Sequence, residues 1–449
     1  MLYVKDIIEI CGGILLYGDI NLPLHNISKD TRTIQEKDTY IGIKGEKYDG
    51  NIFYQEALDK GASICILDNI RKEDISLKYQ NKTIVLVEDS IKALGELAKY
   101  KRSKYNIPVV AVTGSVGKTS VKEMIANALS TQYKVLKTEA NYNNHIGLPL
   151  TILKLTDEEI IVLEMGMNNL GEISYLTNIA NPSVAVITNI GTAHIGNLGS
   201  RENILKAKLE IVENLSGPLI INNDNDMLHK AIKEINRMTE VITIGIENES
   251  TYMAEDIKDN IFYIENNKIE SPIKSKAFIY NSLITYAVSK YYNIDPKNIA
   301  KAIKNTKLVS NRLEYKRTKD GITIIDDTYN SSLDAIKSSL EILSKERAKR
   351  KVAVLGDILE VGEYNKKIHE EMGQILLEYK PDIIITIGVN TYYTDKYLEK
   401  NNYLTKLHFD KEEDSHKEIK QLLKDGDIVL FKASHAMNLG NIVKYLLEE

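Results

Sequence analysis

The chain has 449 residues, of which 43% are hydrophobic and 27% charged, with a formal net charge of −5. That length exceeds one ordinary core and points to roughly two to four domains of soluble, globular composition. The mild acidity gives no general reason to expect a nucleic-acid or membrane-surface partner, and no stretch approaches the roughly 18 uninterrupted apolar residues of a membrane span.

Residues 1–84 read as a small mixed α/β unit. Its opening, LYVKDIIEICGG, predicts a short helix closed by Gly12-Gly13, with no signal-like apolar run before it, so the expected compartment is the cytoplasm. Cys11 and Cys65 are the only cysteines, and their apolar neighbours favour buried thiols over a disulfide. Asp30, Thr31 and Arg32 precede the strand-like TYIGIKG (39–45), a turn at Asp49-Gly50, a helix ending at Lys60-Gly61 and a strand at 63–67. Arg32 and the polar turn around Lys44 and Gly45 suit the grip of an anion, and suit a solvated edge equally well.

Residues 85–107 predict a linker helix with Ile91, Leu94, Leu97 and Ala98 on one face, and Pro108 marks the boundary after it. The unit at 108–310 alternates strands and helices, with strands expected at 109–113, 160–164, 184–188, 219–222 and 241–245 and a helix at 278–290. This is the pattern of an α/β domain with a largely parallel sheet, in which ligands collect beyond the carboxyl ends of the strands.

VVAVTGSVGKTS (109–120) is strand, glycine turn and helix start in the order a phosphate cradle needs. Gly114, Ser115, Val116 and Gly117 let the backbone approach phosphates, Lys118 neutralises them, Thr119 is placed to ligate Mg²⁺, and Ser120 continues the helix start. The spacing is shorter than GxxxxGK[ST], because only Ser115 and Val116 separate the two glycines.

Other polar residues fall at strand ends. Glu164 follows an apolar run, Asn189 ends a strand, and His194 lies in the loop beyond it. Glu164 and His194 suit a divalent ion near the phosphates, whereas a lone strand-end Glu is also an ordinary cap. Lys208 sits amid the apolar Ile204, Leu205 and Ile211. Asn141, Asn143 and Asn144 form a polar loop that reads either as a plain connection or as a substrate-ordering one.

Residues 311–449 predict a second α/β unit of Rossmann-like character, with strands at 321–325, 351–355, 383–387 and 428–431 and helices at 334–345, 366–379 and 414–424. Asp326, Asp327, Tyr329 and Asn330 gather at one strand end, and Asp357, Glu360, Lys432 and Ser434 at others. Strand-end residues of two units around a phosphate loop describe a cleft closed by domain motion.

These motifs resemble the Mur ligases, and among them the branch that adds D-alanyl-D-alanine to UDP-N-acetylmuramoyl-tripeptide. The resemblance runs through DTR (30–32), IGIKGEKYDG (41–50), TGSVGKTS (113–120), NYNNHIGLPL (141–150), EMGMNNLGEI (164–173), TNIGTAHIGNLGS (188–200), KAKLEIV (206–212), NRLE (311–314), DDTYN (326–330), LGDILEVGE (355–363) and KASHAM (432–437). It implies a three-domain fold: a small mixed UDP-sugar-binding domain, a central P-loop ATPase-like domain and a C-terminal Rossmann-like domain.

The resemblance also implies a monomer that uses ATP and Mg²⁺ to make an amide bond through an acyl phosphate. Lys118 and Thr119 would serve ATP phosphates and Mg²⁺, Glu164 and His194 would hold metal, and Lys208 would be carbamylated. Asn281 would lie near the adenine, Arg312 would reach an ATP phosphate, and Asp327 would meet ATP from the mobile domain. Asp30, Thr31, Arg32, Lys44 and Gly45 would take the UDP-sugar, and the asparagines at 141–144 would line the substrate channel. Tyr329, Asn330, Lys432 and Ser434 would serve the incoming amine.

Departures from the family pattern cluster at Ala140, Ala277-Phe278, Ser331-Ser332-Leu333 and Ala433-Ser434-His435. They bear on which amine is joined, so a related amide ligase with another substrate is the nearest alternative. A P-loop kinase and a nucleotide-binding regulatory module rank below it.

Overall fold

The computed structural model describes residues 1–45, 47–404 and 407–448; Glu46, within the 41–50 motif, lies outside them. In the central unit the strands Val109–Thr113, Ile160–Glu164, Leu219–Asn222 and Val241–Gly245 span the expected residues, and Val184–Ile187 stops one short. The first three of these, like Val184–Ile187, are buried along their whole length, which is why they read as unbroken Val, Ile and Leu rather than as alternation.

Together with Val135–Lys137 and Tyr252–Met253 they form a seven-stranded parallel sheet. Val109–Thr113 lies between Val184–Ile187 on one side and Ile160–Glu164 on the other. The chain fills one side first and then crosses to the other. That reversal opens a crevice at the carboxyl ends, where the phosphate loop, Glu164 and Thr188 emerge together.

The strict alternation of strand and helix breaks at 255–270, where Glu255–Lys258, Ile261–Ile264 and Asn267–Glu270 make a three-stranded antiparallel sheet. Only Phe262 and Ile264 of the middle strand are buried, at period two, and Glu265 and Asn266 turn the chain with positive φ of 47° and 62°. That is the geometry of a tight hairpin.

In the first unit a five-stranded sheet runs Ile14–Tyr17, Thr83–Leu86, Ile64–Leu67, Thr39–Ile41, Ile27–Ser28, parallel except for its first pair. The strand expected over 39–45 ends at Ile41, because the chain turns at Gly42 against Asn51. Cys65 is buried and Cys11 half-buried, both as free thiols. The linker helix Ser90–Ser103 is capped by the Asp89 side chain and buries Leu94 and Leu97. Its far side meets the helix Glu172–Ala180, where Gly95 makes room for the Tyr175 hydroxyl and Arg102 donates to the Ala180 carbonyl.

The last unit is a six-stranded sheet in the order Glu314–Arg317, Thr323–Asp326, Asp427–Lys432, Arg350–Gly356, Ile383–Ile387, Leu407–Phe409, antiparallel only at its first pair. The helices Leu333–Lys345 and Asn365–Tyr379 lie where the apolar spacing puts them, and the third is shorter, His416–Leu422. No helix among the described residues is long and apolar enough to cross a membrane.

Candidate active site

The phosphate loop leaves its strand at Gly114, whose φ of 146° is open to glycine, and where a Cβ would stand 1.8 Å from the Thr188 hydroxyl. Gly117, with φ 86°, caps the helix Lys118–Leu129. The first-turn amides of that helix have no partner four residues back, and its dipole adds partial positive charge, so the turn is built to receive an anion. The Lys118 ammonium folds back on the loop, donating to the carbonyls of Gly114 at 2.7 Å and Ser115 at 3.4 Å. Burial lowers its pKa below the ordinary lysine value; Glu164 opposes that shift and Arg312 adds to it.

On one flank of the loop, Thr119 Oγ1 donates to Glu164 Oε2 at 2.8 Å, and Asn143 Nδ2 donates to Glu164 Oε1 at 2.8 Å. The Glu164 amide is held by the Thr138 hydroxyl, and the Thr138 carbonyl accepts from the buried Lys122. The sheet register sets Glu164 beside Val112, two residues before Gly114, and so fixes the carboxylate against the helix start. The oxygens of Thr119 and Glu164 are the hard donors that suit Mg²⁺.

His194 lies on the other flank and lines the same cleft as Glu164, and among the described residues no group of three or more His, Cys, Asp or Glu converges as a metal cage. Its backbone is left-handed, φ 63°, and its Nδ1 stands 3.0 Å from Glu360 Oε2 of the last unit. Lys208 is 1% exposed on the helix Arg201–Leu209. Burial, reinforced by the charge of Lys118, drives its pKa well below the ordinary lysine value.

A cleft of about 740 Å³ unites residues 115–120, Asn141, Asn143, Asn144, Glu164, His194 and Asn281 with Arg312, Asp327, Tyr329, Asn330 and Lys432 of the last unit. Asn281 lies against the phosphate loop itself, its Oδ1 3.2 Å from where a Cβ on Gly117 would be. Lys432 bridges Asp327 Oδ2 at 2.5 Å and the Asn330 carbonyl at 3.1 Å, and Ser339 donates to the same Asp327 oxygen. The Arg312 guanidinium stacks 3.9 Å above the Tyr329 ring, and its buried Nε has no hydrogen-bond partner among the described residues. His435 packs tilted on the same tyrosine, with ring centroids 5.7 Å apart.

Other expected residues lie off this wall. Ser434 accepts from the Leu359 amide and shapes the turn after Arg350–Gly356. Asp30, Thr31, Arg32, Lys44 and Gly45 sit in the first unit. Arg32 pairs with Asp30 at 2.6 Å and, by its hydrogen bonds, holds that carboxyl down to about 2; Thr31 donates to Glu56. Lys44 pairs with Asp49 as an isolated antiparallel backbone bridge.

Two residues at the cleft carry no motif signature, Asp224 and Asp334. Asp334 accepts from the Thr192 amide at 3.1 Å, and Gly191 is pressed so close that a Cβ would meet Asp334 at 2.1 Å. Asp224 gathers the amides of Ile246, Glu247 and Asn248 and the Tyr280 hydroxyl, and so fixes a loop at the cleft rim. The strand-end position of NND (222–224) was the available signal for Asp224; Asp334 had none, since its partner is on another unit.

Comparison with known proteins gives a consistent picture. The model of the Mur ligase middle domain matches residues 112–289, that of the Mur ligase glutamate ligase domain residues 311–435, and that of the Mur ligase family catalytic domain residues 23–102. The chain is 36% identical to the UDP-N-acetylmuramoyl-tripeptide–D-alanyl-D-alanine ligase of Bacillus subtilis, over 99% of this chain and 98% of that one. To the Escherichia coli enzyme of the same name it is 30% identical, over 87% and 86%. Its fold matches MurF from Acinetobacter baumannii with TM-score 0.89 at 26% identity, covering 100% and 99% of the two chains. It matches MurF ligase from Thermotoga maritima in complex with ADP with TM-score 0.80 at 30% identity, covering 95% and 97%.

Proposed function

Because the chain belongs to the Mur ligase family, we propose that its cleft is where ATP activates a peptide carboxylate for attack by an amine. The enzyme is an ATP-dependent ligase of peptidoglycan synthesis that joins D-alanyl-D-alanine to UDP-N-acetylmuramoyl-tripeptide. The observation that carries the site reading is the single cleft shared by the phosphate loop, Glu164 and the Asp327–Lys432 pair.

The first-turn amides and Lys118 bind the ATP phosphates and spread the charge that grows on the transferring phosphoryl group. Lys118 leaves the loop carbonyls to do so, a short movement about its flexible stem. Thr119 and Glu164 would hold Mg²⁺, which when bound neutralises phosphate charge and orients the γ-phosphate. Arg312 brings its unpaired buried Nε to the same phosphates from the other wall. The substrate carboxylate displaces ADP from the γ-phosphate and becomes an acyl phosphate. The amine then attacks the acyl carbon, and phosphate leaves as the amide forms. Asn141 and Asn144 line the channel, while Tyr329, Asn330 and Lys432 meet the amine component. Closure of the last unit keeps water from the acyl phosphate.

Lys208 is an amine stripped of water with no acidic partner among the described residues. A neutral amine is the form that adds CO₂, so its burial supports carbamylation. Asp30–Arg32, Lys44 and Gly45 take the UDP-sugar, and the enzyme works as a monomer in the cytoplasm.

The test is incubation with UDP-N-acetylmuramoyl-tripeptide, D-alanyl-D-alanine and Mg²⁺-ATP. ADP release that depends on the amine, with a product of the pentapeptide mass, is expected. A stable phosphorylated product, or ADP release indifferent to the amine, overturns the reading.

A further inference from the structure

The phosphate loop falls two residues short of GxxxxGK[ST], yet it holds a defined course between Gly114 and Gly117. In the longer loop the intervening backbone amides turn toward phosphate. Here the first two are engaged elsewhere. The Ser115 and Val116 amides both donate to Asn189 Oδ1, at 3.1 and 2.9 Å. Around that fork the backbone is laced to the neighbouring strand end: Ser115 N also reaches the Asn189 carbonyl, Gly191 N donates to Ser115 Oγ, and Thr188 Oγ1 donates to the Val116 carbonyl.

We infer that Asn189 is a positioning residue for phosphoryl transfer: its side-chain carbonyl replaces the missing loop residues and hands phosphate binding to the helix turn that begins at Gly117. This rests on the ATP-binding reading of the loop. An acceptor is required at this point because the Val116 amide of a half-buried loop has no other partner among the described residues, whereas the Ser115 amide is shared between the same oxygen and a main-chain carbonyl. The acceptor is neutral, which matters beside a triphosphate. A carboxylate would accept the same two N–H groups but set a negative charge next to the phosphates. Asn189 is thus distinct from Lys118, Thr119 and Glu164, since it acts on the loop and not on the ligand.

The same segment continues to Thr192, where Asp334 of the last unit accepts the amide. The loop's support and the docking point of the moving unit therefore lie on one short stretch of chain.

The test uses the full-length enzyme with three measurements: ADP binding by calorimetry, ATP KM against kcat, and amide exchange of the 113–117 segment. Wild type must bind ADP; if it does not, the ATP reading fails and not this inference alone. Asn189→Ala should keep its melting temperature, exchange faster at Val116 while Ser115 keeps the main-chain carbonyl of residue 189, and bind ADP about fivefold more weakly, as loss of about one neutral hydrogen bond implies. Asn189→Asp should keep slow exchange, because both acceptors survive, while raising the KM for ATP and leaving the KM for the amine unchanged. Asn189→Ala with wild-type ADP affinity, or Asn189→Asp with fast loop exchange, overturns the proposal. If Asn189→Ala does not fold, Asn189→Asp decides alone by the same two readouts.

Discussion

His194 Nδ1, in the loop after the central strand Val184–Ile187, stands 3.0 Å from Glu360 Oε2 on the last unit. The contact has company: Gly196 N donates to the Glu360 carbonyl, and the Tyr364 hydroxyl donates to the Gly199 carbonyl. One loop that leaves the phosphate site is therefore held by the unit that covers it. The imidazole draws the Glu360 carboxyl below its ordinary value, so the carboxylate form is the one that docks.

Glu360→Gln should loosen that docking. The Glu360 side chain is 60% exposed, so the pair contributes at most about 1 kcal/mol, or roughly fivefold in turnover. Steady-state kinetics should show a modest fall in kcat with ADP affinity unchanged, and small-angle scattering a larger mean radius. A wild-type kcat and radius would show that the pair does not hold the units together.

Lys118→Ala should reduce kcat/KM on the order of a thousandfold, because a preorganised donor to developing charge is lost in a site that excludes water. Amine-dependent ADP release at the wild-type rate would remove Lys118 from the site.

Glu164→Gln keeps a hydrogen-bond acceptor for Thr119 but loses the charge. The Mg²⁺ concentration for half-maximal rate should rise by about tenfold or more while the fold stays intact. An unchanged Mg²⁺ titration would mean that the carboxylate serves only Thr119 and Asn143 as a hydrogen-bond partner.

Lys208→Ala should lose most activity and recover part of it with added acetate or another short carboxylate. Wild type equilibrated with ¹³CO₂ should show a carbamate resonance that Lys208→Ala lacks. Equal spectra and equal activity would rule out the carbamate.

Behind the site, Glu123 joins the buried Lys122 to Lys137. Burial alone would raise the Glu123 pKa, but the hydrogen bonds from Lys122 and Lys137 outweigh it and hold the group below its ordinary 4.5. The stabilisation is thus fully present above pH 4.5 and is lost as pH falls through the lower folded value. Glu123→Ala strands the Lys122 ammonium and should cost about 3 kcal/mol near neutral pH. Denaturant titrations at neutral and acidic pH should show the gap between variant and wild type shrinking with acid; a constant gap would exclude the ion pair as its source.

The strands of the central sheet, the phosphate loop and the polar residues at the strand ends are legible in the order of amino acids alone. These are local signals: a doubly covered strand must be apolar along its length, and a phosphate turn needs glycine where no side chain fits. The same local reading missed the hairpin sheet at 255–270 as a unit, because its buried positions are only Phe262, Ile264 and Ile269, too few to set a period against the surrounding helices. Tertiary structure decided that His194 faces Glu360, that Asp334 reaches Thr192, that Lys208 lies in a dry interior, and that Asn189 takes up the amides of Ser115 and Val116. Each of those depends on which strand ends become neighbours. Strand order is fixed by the burial of whole sheets, so no stretch of sequence around any one of these residues carries it.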